Sequence, residues 1–461
     1  MARSQSLSRR GSALALLAML ALLPTGCTSW RAITLPLDQI DLDRGYRPET
    51  ILGGRNLGDV ALIVTFSGGG TRAAALAYGV LEELRDTQIV VDGTPTRLLD
   101  EIDIISSVSG GSFTSAYYGL HGDGLFEDFK ERFLELDVER GLLLRMLNPK
   151  NLFRLTFPFF DRTSLAIDYY EDKIFDRLLF SDLEVAGGPL IQINSTDLSA
   201  GSQFTFQQAQ FDLLCSDLSA LSIARAVTAS SAVPIVFPAI TIENRAGSCG
   251  YQKPEWMVEG LASRIEEPRR FQIASEAAAY LDPEETPYVH LVDGGIADNL
   301  GVRGPLDNVI GRGGIARLLE QLGVERPHHM AFIVVDSSTK PERSFVSLPG
   351  APSIAALLGS ITDTQIHRYN FETLALLDES MKRFAEELST ESQPLNPHMI
   401  LVAESQIEDP DDRGFFDDVP TSLSLDQETV TRLIQIGRRM LRESAEFQAL
   451  VTELGGTLGR K

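Results

Sequence analysis

Short apolar segments alternate with longer stretches of helical character along this chain, and this alternation limits its fold more than any other feature. The apolar segments are rich in β-branched residues, which is typical of strands buried in a sheet. They lie at residues 61–66, 102–106, 190–194, 288–292, 330–335 and 399–402. Strands that alternate with helices predict an α/β fold with a largely parallel central sheet.

Helices are predicted between these strands, with the main ones at residues 72–84, 112–120, 164–179 and 218–232. Near the end of the chain, residues 424–427 have the form of a capping box. This pattern predicts the start of an amphipathic helix that carries Leu433, Ile436, Met440 and Leu441.

Composition narrows the class of function. Hydrophobic residues make up 43% of the 461 residues and charged residues 23%, which is the balance of an ordinary globular protein. There are 41 Lys and Arg residues against 64 Asp and Glu residues, so the net charge is −23. Such an acidic protein is not expected to bind nucleic acid or to adsorb broadly to anionic lipid, because both need a positive field.

The first 26 residues resemble the signal peptide of a bacterial lipoprotein. Three arginines precede an apolar run over residues 13–23, and a lipobox-like segment with Pro24 at its usual aliphatic position ends at Cys27. We expect Cys27 to be lipidated and to anchor the mature chain in the bacterial cell envelope. Because Thr28 is not aspartate, the resemblance favours the periplasmic face of the outer membrane. An ordinary cleaved signal peptide and an uncleaved anchor are the alternatives.

Export also bears on the cysteines. If Cys27 is acylated, Cys215 and Cys249 remain as one pair, and an exported compartment permits a disulfide between them. Such a bridge would close a loop of about 35 residues and stabilise the fold by roughly 3 kcal/mol. The alternative is two separate buried thiols. Three cysteines and six histidines, scattered along the chain, give no obvious zinc site, and no metal is expected.

A glycine-rich turn follows the first predicted strand, with the sequence SGGGTRA at residues 67–73. Gly68, Gly69 and Gly70 allow close approach of a ligand, and the following helix start offers free N–H groups, so the turn can hold a phosphate or an oxyanion. The Gly-Lys-Ser/Thr ending of a phosphate loop is absent, and Ala73 replaces the third glycine of a dinucleotide-binding motif. A nucleotide-binding enzyme is therefore disfavoured. A simple tight turn is the structural alternative.

A serine lies at the next strand-to-helix junction, in the sequence SVSGG at residues 107–111. Small residues on both sides of Ser109 allow the sharp turn of a nucleophile elbow, although Ser107 stands where that motif usually has its first glycine. The positive end of the following helix dipole would favour a partial alkoxide at Ser109. The alternative is a serine-rich N-cap.

An aspartate follows the predicted strand at 288–292, in the sequence Asp293-Gly294-Gly295. A carboxylate at the C-terminal end of a strand is a favoured site position in an α/β sheet. An Asx-type turn is the alternative.

The three motifs, in this order, resemble those of the patatin-like phospholipases, which are lipid acyl hydrolases with a Ser–Asp dyad. The resemblance covers roughly residues 57–310 and includes residues 227–234, 237–238 and 298–299. It implies a three-layer α/β fold, and it implies that Ser109 is the nucleophile and Asp293 the general base. The amides of Gly68, Gly69 and Gly70 would form the oxyanion hole, with Gly110 as a further donor and Arg72 in support. The implied substrate is an acyl lipid, and no metal or organic cofactor is implied.

The expected organisation is a signal peptide at residues 1–26, a lead-in at 27–58, a catalytic core at 59–310, and strands and helices at 311–461 that complete the same domain. A non-catalytic envelope lipoprotein that binds lipid or a protein partner is one alternative function. Another is a Ser-His-Asp esterase, whose chain order would place the histidine after Asp293. The four histidines that follow it are all expected at the surface: His328, His329, His367 and His398.

Residues 142–160 are unusually apolar and contain no acidic residue, while Arg145, Lys150 and Arg154 are interleaved among them. Such a segment can enter a lipid interface. We expect it to form a lid or the entrance for the acyl chain. A helix pair packed against the core is the alternative.

Overall fold

The computed structural model describes residues 34–54, 59–91, 93–157, 160–234, 236–340 and 354–459. The predicted signal peptide and Cys27 lie outside these ranges, as does part of the predicted lead-in. No helix in the described ranges combines the length and the hydropathy needed to cross a bilayer.

One eight-stranded sheet organises the described part of the chain. Its strands are β1 (Val60–Phe66), β2 (Ile102–Val108), β3 (Leu190–Asp197), β4 (Ser202–Thr205), β5 (Ile240–Glu243), β6 (Tyr288–Asp293), β7 (His329–Asp336) and β8 (Asn396–Ala403). The order across the sheet is β8-β7-β1-β2-β3-β6-β5, with β4 paired to β3. The first five strands in this order are parallel, whereas β6, β5 and β4 pair antiparallel with their neighbours. The predicted strands are thus confirmed, and the sheet is largely parallel as expected.

Helices flank the sheet on both faces. They are α1 (Pro48–Ile51), α2 (Gly70–Asp86), α3 (Gly110–His121), α4 (Leu125–Phe129), α5 (Val138–Leu147), α6 (Pro149–Arg154), α7 (Arg162–Lys173), α8 (Phe180–Ala186), α9 (Gln208–Leu213), α10 (Ile223–Ser230), α11 (Glu255–Ala262), α12 (Pro268–Ala279), α13 (Gly295–Asp298), α14 (Arg303–Arg312), α15 (Ile315–Leu322), α16 (Ile354–Leu388), α17 (Pro410–Asp418), α18 (Gln427–Glu443) and α19 (Ala445–Glu453).

Strand β1 shows why the fold has three layers. All seven of its residues are buried, as expected for a central parallel strand covered on both faces. Leu62 and Val64 point into a core formed with α2, α3 and α18, while Ala61 and Ile63 point into a second core formed with α14, α15 and α16. Side chains that alternate across the strand therefore supply both helix layers.

Three predicted helix boundaries are wrong. The helix expected at 218–232 begins only at Ile223, after a short strand at Ser216–Asp217. The helix expected at 164–179 ends at Lys173, and the chain then takes positive φ angles of 47° at Asp176 and 62° at Arg177, which no α-helix accommodates. The predicted capping box at 424–427 does not form. Asp426 caps α18 instead by accepting from the Thr429 amide, while Ser424 donates its hydroxyl to Asp137.

The structure joins Cys215 and Cys249 in a disulfide, so the predicted pairing is confirmed over the alternative of two separate thiols. The bridge connects the end of α9 with the loop that follows β5. The amide of Arg245 donates to the carbonyl of Leu214 (3.1 Å) beside it. The disulfide thus fixes the segment that follows an edge strand of the sheet.

Candidate active site

Ser109 lies at a sharp turn between β2 and α3. Its φ and ψ angles are 49° and −120°, a backbone conformation that a residue with a side chain adopts at a cost of about 1–3 kcal/mol. The following glycines make the turn possible. A β-carbon at Gly110 would lie 2.0 Å from the carbonyl oxygen of Gly70, and one at Gly111 would lie 2.6 Å from the Cβ of Phe66. These are the constraints of a nucleophile elbow.

Ser107 fills the position where the elbow motif usually has its first glycine. It is fully buried, and its hydroxyl lies 2.6 Å from the Ser115 hydroxyl and 3.2 Å from the Gln192 carbonyl. A small side chain with satisfied hydrogen bonds therefore fits here, and the departure from glycine leaves the turn intact.

Asp293 reaches the elbow from an unexpected direction. Because β6 runs antiparallel to β3, it enters from beyond the C-terminal ends of the parallel strands and stops where Asp293 pairs with Ser195. The neighbouring residue of β3, Asn194, pairs with Val108. Asp293 consequently ends its strand at the level of Ser109, and the hydroxyl Oγ of Ser109 donates to its carboxylate Oδ2 over 3.0 Å.

The second carboxylate oxygen of Asp293 accepts from the Gly295 amide over 2.8 Å. Burial raises the pKa of Asp293 to about 6, although the hydrogen bonds from Gly295 and Ser109 act in the opposite direction. A β-carbon at Gly294 would lie 2.3 Å from the Asn194 carbonyl oxygen, so the first glycine of the motif is required for packing. The result is an oriented carboxylate whose basicity is raised, as general-base catalysis near neutral pH requires.

Ser230, at the end of α10, links the two halves of the dyad. Its hydroxyl accepts from the Ser109 amide (2.8 Å) and donates to the Asn194 carbonyl (2.6 Å), while its own carbonyl accepts from the Gly294 amide (3.1 Å). In the sequence, Ser230 is distinguished only as part of the family-like segment 227–234. The signal it offered, a serine among small residues at a helix end, is too common to identify a role.

The glycine-rich turn lies directly against the elbow, since a β-carbon at Gly68 would lie 3.3 Å from the Cβ of Ser109. The amide of Gly68 donates to the Asn299 carbonyl (3.0 Å), so its predicted place in the oxyanion hole is wrong for this structure. Within the described residues, the amides of Gly69, Gly70 and Gly110 donate to no protein acceptor. These three N–H groups are available to an oxyanion.

Arg72 is buried behind the glycine-rich turn. Its guanidinium donates to the carbonyls of Ser337 and Val419 and to the Thr421 hydroxyl. Among the described residues, Arg72 makes no hydrogen bond with a carboxylate. Burial lowers its pKa to about 10, while the more distant charges of Asp336 and Asp417 raise it. Arg72 therefore holds the turn by fastening α2 to the ends of two C-terminal segments.

All six histidines lie in the described ranges, and none of them makes a hydrogen bond to either member of the dyad. His367 is held by the carbonyls of Asp363 and Thr339, and His290 lies 2.9 Å from the Thr241 hydroxyl. The hydrogen bond between Ser109 and Asp293 therefore forms without a histidine partner among the described residues. The predicted surface positions are wrong for His329 and His398, which are buried in strands β7 and β8.

The elbow and the glycine-rich turn approach so closely at Gly110 that a larger residue should not fit there. In Gly110→Ala the new methyl group meets backbone, which cannot rotate away, so we expect a loss of about 3 kcal/mol or more in unfolding free energy together with loss of any activity. Thermal and denaturant unfolding measure the change. Gly414→Ala is the matched control, since its β-carbon meets nothing within 4 Å on helix α17 and should stabilise slightly. Equal stability of the two variants would contradict the described packing.

Comparison with known proteins places this site in a family. The family model described as Patatin-like phospholipase matches residues 64–306, which are 243 of the 461 residues. This stretch contains the glycine-rich turn, the elbow and the Asp-Gly-Gly motif.

Among solved structures, human GIVD cytosolic phospholipase A2 is similar with a TM-score of 0.42 and 12% identity over 86% of this chain and 60% of that chain. The same human protein in complex with methyl gamma-linolenyl fluorophosphonate has a TM-score of 0.41 and 12% identity over 86% of this chain and 59% of that one. The chain thus spans about 60% of the length of these structures. No curated protein sequence gives a significant match. Since the family model covers more than half of its length, the chain belongs to the patatin-like phospholipase family.

Proposed function

We propose that this protein is a serine-dependent lipid acyl hydrolase in which Ser109 is the nucleophile and Asp293 is the general base. The observation that carries the proposal is the 3.0 Å hydrogen bond from the Ser109 hydroxyl to the Asp293 carboxylate. It lies at an elbow that also adjoins unpaired backbone amides. A hydroxyl is a weak nucleophile unless a neighbouring base takes its proton, and Asp293 is placed to do so.

In the first half of the reaction, Oγ of Ser109 attacks the carbonyl carbon of the ester while its proton passes to Asp293. The carbonyl oxygen becomes an oxyanion that accepts from the amides of Gly69, Gly70 and Gly110. One such donor typically lowers the barrier by about 3–4 kcal/mol. The intermediate then expels the alcohol, which takes the proton back from Asp293, and the acyl group stays on Ser109.

In the second half, Asp293 accepts a proton from water, and the resulting hydroxide attacks the acyl carbon. The tetrahedral intermediate uses the same amides, and Ser109 leaves with the proton returned by Asp293. The products are a free fatty acid and the original enzyme. An alcohol in place of water would give acyl transfer by the same steps.

An exposed apolar surface supports a lipid substrate. We define the apolar face as the exposed side chains of α5, α6 and the turn that follows: Leu143, Leu144, Leu147, Leu152, Phe153 and Phe157. Leu144 is 59% exposed and Phe153 is 65% exposed, so the region is not the core-packed helix pair considered above. A concentration of large apolar side chains in water favours contact with an apolar partner.

The positive charge predicted for this region is largely neutralised. Arg145 pairs with Asp172 (2.8 Å) and Arg154 pairs with Asp168 (2.7 Å), both on helix α7. The sequence did not reveal these partners because they lie outside residues 142–160. Contact with a membrane through the apolar face would therefore depend on apolar burial more than on anionic headgroups.

From two sides, hydrogen bonds tie the helices at the apolar face to the glycine-rich turn and to the loop that follows α10. At the start of α5, Glu139 accepts from the Ser422 hydroxyl (2.7 Å), and the Ser422 carbonyl accepts from the Thr71 amide in the glycine-rich turn (2.8 Å). On the other side, Thr163 donates to the Pro238 carbonyl (2.8 Å) in the loop that follows α10. We infer that the face guides an acyl chain from a lipid layer to Ser109. An acylated Cys27 would keep the domain at such a layer.

Product analysis from defined phospholipids tests the proposed function. We expect the wild type to release free fatty acid and lysophospholipid, and Asp293→Asn to release neither above background, as measured by mass spectrometry. If the wild type releases no fatty acid from any phospholipid or neutral acyl ester, the protein is better described as a non-catalytic lipid-binding lipoprotein.

The apolar face makes a prediction of its own. The double variant Leu144→Ser with Phe153→Ser removes two exposed side chains, so stability should be unchanged while the rate on phospholipid vesicles falls roughly 10- to 100-fold. The rate on a soluble short-chain ester should remain the same. Val185→Ser is the control, because Val185 is 86% exposed at the end of α8, the helix that leads into β3, and is not part of the apolar face. Equal losses on vesicles and on the soluble ester would contradict a role at the lipid interface.

A further inference from the structure

Two histidines that are far apart in the sequence lie side by side at the edge of the sheet opposite the dyad. His329 begins β7, and His398 lies near the start of β8, the neighbouring parallel strand. Their ring centroids are 5.7 Å apart with an interplanar angle of 27°. His398 is only 4% exposed. His398 was expected at the surface, but it lies near the beginning of a strand.

Helix α19 packs over these two rings and supplies carboxylates. Glu446 and Glu453 are seven residues apart, which places them on the same face of the helix. The carboxylate of Glu446 lies 2.9 Å from Nδ1 of His398. An oxygen of Glu453 lies 3.3 Å from Nε2 of His398 and 3.5 Å from Nδ1 of His329. Two imidazole nitrogens therefore converge on one carboxylate.

The two converging nitrogens are buried and make no hydrogen bond with any described residue. Since a carboxylate only accepts, Nδ1 of His398 carries the proton shared with Glu446, and a neutral ring then presents a lone pair from Nε2. A metal ion between this nitrogen and the carboxylate of Glu453 would satisfy both groups.

We propose that Nδ1 of His329, Nε2 of His398 and the carboxylate of Glu453 form a binding site for a divalent transition-metal ion of the Zn²⁺ class. The three ligand atoms lie within 4.8 Å of one another. Tetrahedral zinc with bonds of about 2.0–2.1 Å requires ligand atoms about 3.3–3.4 Å apart. The two distances to Glu453, 3.3 and 3.5 Å, are close to this requirement, and the distance between the two nitrogens is at most 4.8 Å, so a movement of the rings toward each other would complete the geometry.

The surroundings complete the arrangement expected for such a site. A metal-bound histidine usually donates its other N–H to a carboxylate, which fixes the ring, and Glu446 occupies that position for His398. Glu453 is partly exposed, so an ion can enter and a water molecule can serve as the fourth ligand. The ligands come from β7, β8 and α19, so a bound ion would cross-link the edge of the sheet to the C-terminal helix.

The site is separate from the hydrolytic chemistry. His329 begins β7, and Ser337 beside the glycine-rich turn lies eight positions further along the chain, a length of roughly 26 Å along an extended strand. The ion is therefore expected to stabilise the fold without contacting substrate.

Zinc titration of the full chain in detergent micelles tests the proposal. After treatment with a chelator, the wild type should bind one Zn²⁺ per chain by calorimetry and unfold at a higher temperature with zinc than without it. Co²⁺ should give the visible absorption of a tetrahedral site with nitrogen ligands. Because Glu453 is partly exposed, Glu453→Gln should fold normally, lose the cobalt spectrum and weaken zinc binding at least ~10-fold.

His328→Gln is the matched control, since this exposed neighbour of His329 lies against Gln393 and is not among the proposed ligands. It should bind zinc as the wild type does. The proposal is overturned if the wild type binds no zinc at neutral pH, the outcome expected of a protonated histidine pair, or if Glu453→Gln binds as tightly as the wild type. Labelling of Ser109 by a fluorophosphonate should be unchanged in Glu453→Gln, so this result is independent of the proposed hydrolase.

Discussion

Ser109→Ala should abolish both ester hydrolysis and labelling by a fluorophosphonate probe. Removal of a serine nucleophile typically lowers kcat by about 10⁴- to 10⁶-fold, because the amides alone provide only a small part of the acceleration. The hydroxyl of Ser109 is the donor to Asp293, and no histidine hydrogen-bonds to either residue of the dyad. The variant should fold, because alanine keeps the Cβ and so places no new demand on the backbone of the turn. Mass spectrometry of the labelled protein identifies the modified residue.

The control for Ser109→Ala is Ser181→Ala on helix α8, where the serine hydroxyl makes no hydrogen bond with a described residue. This variant should keep full activity and labelling. If Ser109→Ala is still labelled at the wild-type rate, another residue is the nucleophile and the proposed dyad is wrong.

Asp293→Asn should lower the rate by about 10³-fold or more, because an amide does not accept the serine proton. In the wild type, burial raises the pKa of Asp293 to about 6. The base must be ionised, so kcat/KM should rise with pH through about 6 and then level off. The matched control is Asp298→Asn. Asp298 also has a pKa raised to about 6 by burial, but it accepts from the amides of Arg303 and Leu300 and makes no contact with Ser109. This variant should keep the rise near pH 6.

Asp293→Asn should also stabilise the folded protein above pH 6. A carboxyl group whose pKa is higher in the folded state favours folding while it is protonated, and this contribution is lost as the pH rises through about 6. Asparagine stays neutral and keeps the shape, so Asp293→Asn should gain on the order of 3 kcal/mol over the wild type at pH 8 and almost nothing near pH 4. Urea unfolding at the two pH values measures this. Equal stability at pH 8 would mean that the carboxylate is not desolvated as described.

The strand ends and sharp turns that are set by short sequence motifs could be predicted from the sequence. The run at 61–66, the glycines at 68–70 and the sequence SVSGG at 107–111 each specify a strand end or a sharp turn by themselves, and the structure contains a strand or turn at each position. Asp293 was also predicted at a strand end. Its meeting with Ser109 followed from the family resemblance and not from spacing, because the direction of β6 depends on pairing with distant strands.

What could not be predicted depends on contacts between distant segments. Gly68 was expected to donate to an oxyanion. In the folded chain, its amide donates instead to the carbonyl of Asn299, which is distant in the sequence. In the sequence, Arg145 and Arg154 have no acidic residue near them, and their carboxylate partners on α7 are brought close only by folding. His398 read as a surface residue because nothing nearby in the sequence indicates that β8 pairs with β7. In each case the deciding partner lies elsewhere in the chain.

The position of β7 in the sheet has a practical consequence for the boundaries of any shortened enzyme. Strand β1 is hydrogen-bonded to β2 on one side and to β7 on the other, and β7 lies beyond the last residue matched by the family model. A fragment cut at residue 306 would leave an apolar strand with an open edge, a ready template for self-association. It would also lack Ser337, whose carbonyl holds Arg72. The smallest recombinant piece worth expressing therefore extends through the C-terminal helices.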